Sequence, residues 1–202
     1  MCPKLTEQIK NLRKTAILEA AKVVFARYGI DGAKVDDIAA RAGVSKGLVY
    51  FYYKGKEDLL FNLLKEEFDK LHNFIEEIRR TKSEFTAKLQ RLVSGVLEYF
   101  EENREFFCIF TPGRGGFTKE RRPNLIKRVL PRYMKTFDLL SKFLQEGIDQ
   151  GVLRPIDPMF MAHILQGMLH ALVVQWLLAK DLSLKKYAPL IVEVFMEGVK
   201  RR

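Results

Sequence analysis

From Ser45 to Lys56 the chain carries a run of side chains suited to one kind of chemistry, the holding of a polyanion. Ser45 can cap a helix, and its hydroxyl can reach a phosphate. Lys46 stands at the start of that helix, where it can meet a phosphate or a base edge. Gly47 has no side chain, so a nucleic-acid backbone can approach closely. Leu48, Tyr50, Phe51 and Tyr52 follow, and then Lys54 and Lys56. Tyrosine hydroxyls and lysine ammoniums are phosphate-contacting groups. The neighbouring apolar residues divide between two faces: Val49 reads as inward and Leu48 as outward. Phe51 is adjacent to Tyr50 and Tyr52 and cannot share a helical face with either. It is open between a thymine-methyl contact and a core position.

Two short helices must position these groups. Residues 35–42 form one, with Val35, Ile38, Ala39 and Ala42 inward. The other runs from the Ser45 cap to about Tyr52. Between them Gly43 supplies the positive φ of a sharp turn. Small Ala39 and Val44 let the two helices cross closely. This is a helix-turn-helix pattern, whose second helix enters the DNA major groove. Upstream, residues 12–28 place Ile17, Ala21, Val24 and Tyr28 on one face, and Gly29 stops that helix. Downstream, residues 56–79 carry the stripe Leu59, Leu60, Leu63, Leu64, Phe68, Leu71 and Ile75.

Further helices are expected at 83–102, 104–111, about 119–150, 157–180 and 184–200, with loops at Thr111–Phe117 and Gly151–Pro158. No run of alternating β-branched residues argues for a strand. The fold class is all-α: a small three-helix N-terminal head (1–55) and a larger C-terminal helical body (56–202), with the fourth helix as the bridge.

The pattern Thr15-x-x-Leu18, Ala20-Ala21-x-x-x-Phe25-x-x-x-Gly29, then Ile38-Ala39-x-x-Ala42-Gly43-Val44-Ser45-Lys46-Gly47-x-x-Tyr50-x-Tyr52-Tyr53-x-x-Lys56-Glu57-x-Leu59 resembles the TetR family of bacterial repressors. The resemblance covers roughly residues 12–60; the body matches only in length and helical character. It implies a homodimer on a palindromic operator in double-stranded DNA. It also implies that the positions of Lys46, Gly47, Leu48, Tyr50, Phe51 and Tyr52 face DNA, that Lys56 contacts a phosphate, and that Tyr53 is an inward aromatic. Two positions depart from the family pattern. Ala33 and Lys34 stand where a capping Thr or Ser is usual, so the cap is lost or moved, and Lys34 would reach phosphate by charge alone. Gly55 replaces the usual Ser or Asn, and glycine remains an acceptable N-cap.

Charge agrees with a polyanion partner. The net charge of +10 is concentrated in two regions. Residues 1–60 hold 11 Lys and Arg against 7 Asp and Glu, and residues 111–135 hold 8 against one. The basic run Arg114–Lys135 reads as a solvated face in preference to an anionic-effector site. Gly113-Arg114-Gly115-Gly116 follows no strand and lacks the Gly-Lys-Ser/Thr ending of a phosphate loop. No catalytic motif, cofactor fingerprint or metal-ligand spacing is visible, so no enzyme, no cofactor and no metal site is expected. Cys2 and Cys108 cannot form a disulfide framework, and Cys108 reads as a small buried hydrophobe. No secretory leader is seen, and a cytoplasmic location is expected. Met159–Ala179 is uncharged and long enough for a membrane span. His163, Gln166, Gly167, His170 and Gln175 interrupt it, which suits a helix inside a helical protein, and no membrane partner is expected.

The reading is a ligand-responsive, dimeric repressor; the alternative is a helical ligand-binding protein acting mainly through a protein partner. The effector would be largely apolar or aromatic, held by Phe68, Tyr99, Phe110, Tyr133 and Phe137, with Gln166 and His170 as polar groups. The competing placement puts Gln166 and His170 at the dimer seam. That seam would pair the last two helices with their symmetry mates, Gly167 allowing close approach.

Overall fold

The computed structural model describes residues 3–108, 122–179 and 183–200. Among these the chain is all-α: nine helices, one short 3-10 turn and an isolated antiparallel bridge between Leu153 and Lys200. The expected loop at Thr111–Phe117 lies outside the described residues. Two compact units divide the chain, Met1–Glu66 with Glu105–Val129, and Glu67–Arg104 with Leu130–Arg202.

In the first unit α1 spans Pro3–Gly32. It begins nine residues before the expected start: Leu5, Ile9 and Leu12 keep helical spacing upstream, although Ile9 and Leu12 are exposed. Pro3 needs no helical N–H at the first turn. Gly29 interrupts the helix where expected, at φ 69. A last turn continues past it, with the Ala33 N–H bonded to the Gly29 carbonyl at 3.2 Å. The inward face is Ile17, Leu18, Ala20, Ala21, Val24 and Phe25. Tyr28 is a correction: it is exposed, with the Arg27 guanidinium against its ring. Ile30, beyond the kink, takes the last inward place.

The next two helices are α2, Val35–Ala42, and α3, Lys46–Tyr52. Gly43 adopts φ 65, and its N–H bonds the Ala40 carbonyl at 3.2 Å. The Val44 N–H bonds the Ala39 carbonyl at 3.0 Å. This pair of bonds is a Schellman cap, which satisfies the last carbonyls of α2 and reverses the chain within three residues. Ser45 then caps α3, its Oγ accepting from the Leu48 N–H at 3.2 Å. Ile38, Ala39 and Val49 are buried, which sets the crossing of the two helices.

Helix α4, Lys56–Arg80, follows a turn through Gly55, whose φ of 148 is open to glycine and costly to other residues. The Asp58 carboxylate accepts from the Lys54 N–H at 3.2 Å, closing the first turn. Leu59, Leu60 and Leu63 join the core of the first unit, as does Leu125 from α7, Arg122–Asp149.

The second unit takes residues 67–80 of α4, α5 (Phe85–Glu102), the rest of α7, α8 (Pro158–Leu178) and α9 (Ala188–Val199). The four-residue α6, Arg104–Phe107, straddles the boundary. Phe85 stacks on Phe143 at 5.1 Å in the core of this unit. Lys88, buried, donates to the Arg79 carbonyl at 2.8 Å, and Arg104 donates to the Trp176 carbonyl at 3.0 Å. Cations thus close the C-termini of α4 and α8. Helix α8 is long and apolar enough to cross a membrane by composition. Here Met161, Ala162, Leu165, Val173 and Trp176 bury one face in the protein core.

The Schellman turn gives a direct stability test. Gly43→Ala forces a Cβ into left-handed backbone with no nearby contact to compensate, and should cost about 1 kcal/mol. Thermal denaturation followed by circular dichroism measures it. An unchanged melting temperature would mean the turn tolerates alanine.

Candidate nucleic-acid interface

Helix α3 turns Val49 into the core and leaves the residues expected to meet DNA on the outside. Ser45, Lys46 and Gly47 are exposed and Leu48 is half-buried. Tyr50 is 50% exposed and Phe51 76%, so Phe51 is no core residue. Tyr52 is half-buried, edge-on to Phe51 at 5.1 Å, with the Lys14 ammonium 5.9 Å from its ring. Tyr53 is buried, as expected, and its hydroxyl donates to the Lys14 carbonyl at 3.4 Å. Burial, with Glu66 and Asp58 nearby, pushes its phenol well above the usual tyrosine range.

The cations around α3 are held loosely. Lys46 pairs with Asp36 at 2.9 Å across the α2–α3 turn. Its hydrogen bond to Asp36 and the carboxylate charge raise the lysine pKa, so the ammonium stays charged. An exposed pair of this kind is screened by solvent, so a phosphate or base edge can displace Asp36 at little cost. Lys56 donates to the Asp31 carbonyl at 2.9 Å. Lys54 is exposed. Lys34 occupies the N-cap position of α2 without a side-chain cap bond, so the cap expected to be lost or moved is absent at this position. Lys34 is exposed.

In the second unit three of the expected effector residues come together. Phe68 meets Tyr133 edge-on at 6.2 Å, and Tyr133 lies 4.7 Å from Phe137. Phe137 lies 4.7 Å from the His163 ring. Burial raises the Tyr133 phenol above its ordinary value. Tyr99 has the Lys70 ammonium 6.0 Å from its ring. Phe110 lies outside the described residues.

His170 is a correction. It is exposed, on the same stripe of α8 as Phe160, Ile164, Val174 and Leu178, and does not face the interior of the unit. Gln166, at its flank, is half-buried. Periodicity grouped these residues on one face, and the core took the opposite one. Cys108 is half-buried, less enclosed than expected.

Glu67 escaped the sequence reading. It is buried in α4, one carboxylate oxygen 3.1 Å from the Lys70 ammonium. The signal was a gap in the leucine stripe between Leu63 and Leu71. Among the described residues no cluster of His, Cys, Asp and Glu could hold a metal ion.

Residues 17–63 match the model described as bacterial regulatory proteins, tetR family, and residues 82–199 match the tetracyclin repressor-like C-terminal domain. The HTH-type transcriptional regulator YfiR of Bacillus subtilis is 31% identical over 172 residues, covering 79% of this chain and 77% of that protein. The fatty acid metabolism regulator protein of Bacillus subtilis is 25% identical over 192 residues, covering 94% and 97%. The solved structure of FadR from Bacillus subtilis in complex with stearoyl-CoA superposes with a TM-score of 0.79 at 24% identity, covering 91% and 98%.

Tyr53 yields a pH prediction. Its raised pKa means that folding favours the neutral phenol. The resulting stability is present below the unfolded tyrosine value of about 10 and is lost as pH rises beyond it. Melting temperatures measured through this alkaline range should fall less steeply for Tyr53→Phe than for the parent. Parallel curves would mean the phenol does not titrate differently on folding.

Proposed function

The chain belongs to the tetR family of bacterial regulatory proteins, and from that footing we propose that it is a dimeric, cytoplasmic repressor released from its operator by an apolar effector. The family is one of DNA-binding transcriptional regulators, and no enzymatic activity is assigned to this chain. The observation that carries the reading is the Schellman-capped turn that presents the outer face of α3. Lys46, Gly47, Leu48, Tyr50, Phe51 and Tyr52 are assigned to the major groove. Lys34, Ser45, Lys54 and Lys56 are assigned to phosphates. Residues 1–55 act as the reading head and 56–202 as the effector-binding and dimerisation part.

The seam is assigned to α8 and α9. Phe160, Ile164, Val174 and Leu178 on α8, with Leu190 and Val194 on α9, are exposed in a single chain. Pairing with a symmetry mate removes that apolar surface from water. His170 belongs to this seam and not to the effector site.

The effector is assigned to the neighbourhood of Phe68, Tyr133 and Phe137, whose clustered rings supply apolar walls. A fatty acyl thioester is the favoured class, supported by relatives named for fatty acid metabolism and solved with stearoyl-CoA. Ligand binding in the body would bias α4, which runs unbroken from Lys56 to Arg80. Two recognition helices must keep a separation of about 34 Å to meet successive major grooves, so a modest shift of α4 loses one half-site.

The test is a gel shift with a duplex selected from a random pool, in competitor DNA, with and without stearoyl-CoA. A sequence-selective complex that dissociates on adding stearoyl-CoA is expected, with Lys46, Leu48 and Phe51 variants selecting different duplexes. Binding without release would remove the acyl thioester. No selective binding by a well-folded dimer would favour action through a protein partner.

A further inference from the structure

The charge is divided unevenly between the two units. Among the described residues the first unit holds 15 Lys and Arg against 9 Asp and Glu; the second holds 14 of each. The excess therefore belongs to the unit that carries α3. Half of it comes from eight residues outside the helix-turn-helix, 122–129, with Arg122, Lys127, Arg128 and no acid.

The first turns of α7 are fixed within this unit, since Leu125 is buried in its core and Val129 packs against it. That anchorage delivers Arg128 to the turn between α3 and α4. Its guanidinium lies 3.8 Å from the centre of the Phe61 ring, and one nitrogen is 2.7 Å from Asp58. The other Asp58 oxygen accepts the Lys54 N–H. Arg128 lines a hollow of about 690 Å³ with Lys54, Gly55, Lys56, Glu57 and Asp58. Two of these neighbours, Lys54 and Lys56, are already assigned to phosphates.

We propose that Arg128, carried by α7, is a DNA-backbone contact supplied from outside residues 1–55 but within the same compact unit, joining Lys54 and Lys56 around one phosphate. This rests on the DNA-binding reading above. A guanidinium has five N–H donors, so bonding Asp58 does not exhaust it, and its planar fork suits two phosphate oxygens. Stacking on Phe61 and pairing with Asp58 hold it in place before DNA arrives, which lowers the entropy lost on binding. The side chain is 43% exposed, open to a ligand that comes from outside.

The competing role is a clasp that only holds the first turn of α4 through Asp58. Salt dependence separates the two, because only a phosphate contact releases counterions. The parent, Arg128→Ala, Arg128→Lys and Arg128→Gln would be titrated with the selected duplex and with a random-sequence duplex across a salt series. Circular dichroism would select the variants that keep the fold. Arg128→Ala and Arg128→Gln should lower the slope of log K against log salt by about 0.9 per protomer on both duplexes, and Arg128→Lys should restore it. An unchanged slope with a lowered melting temperature makes Arg128 a clasp and overturns the proposal. An unchanged slope with lost stabilisation by inorganic phosphate makes the hollow a free-anion site, which also overturns it. A parent that binds neither duplex sinks the regulator reading and this contact together. Selective, salt-dependent binding with a normal slope for Arg128→Ala sinks this contact alone.

Discussion

The α2–α3 turn is the constraint on which the rest depends. A reading helix of seven residues makes no stable structure alone, so its direction must be imposed from outside. Gly43 in left-handed backbone, the two Schellman bonds and the Ser45 cap impose it within three residues. Ile38, Ala39 and Val49 then lock the crossing by burial. Alternation of buried Val49 with exposed Tyr50 and Phe51 follows from that geometry. A rotation of α3 by one residue would drive Tyr50 into the core and Val49 into water.

Electrostatics act on this frame with weak bonds. Lys46 on Asp36 and Lys56 on the Asp31 carbonyl are surface contacts that position an ammonium without committing it. Such contacts are cheap to exchange for a phosphate, whereas a buried pair would resist exchange. The positive excess sits with this unit, while the described residues of the second unit balance. A polyanion is thus attracted to the surface that α3 presents, and the apolar chemistry of Phe68, Tyr133 and Phe137 works in a unit without net charge among its described residues.

Legibility in the sequence followed the range of the interactions. Turn chemistry is local, so Gly43, Ser45 and the limits of α2 and α3 could be read from neighbouring residues. Val49 also fell where its spacing placed it, and Tyr53 where the family resemblance placed it. Periodicity shows which residues share a face but not where that face points, and His170 therefore emerged on the outside of α8. Tyr28 kept its helical register with Ile17, yet the kink at Gly29 gave the inward place to Ile30. Glu67 was hidden because a single acid in a leucine stripe resembles a break in the pattern. Arg128 was hidden for a different reason. Its partners Asp58 and Phe61 are nearly seventy residues away in sequence, a distance no local pattern spans.

The central claim is that the outer face of α3, with the turn that follows it, is the surface that meets DNA. Backbone amide shifts of the intact protein, recorded by NMR while a selected duplex is added, test it most directly. The account predicts the largest changes over residues 45–56, with Arg128 among them, and small changes on the exposed stripe of α8. Large changes confined to α8 and α9, with residues 45–56 unmoved, would contradict it.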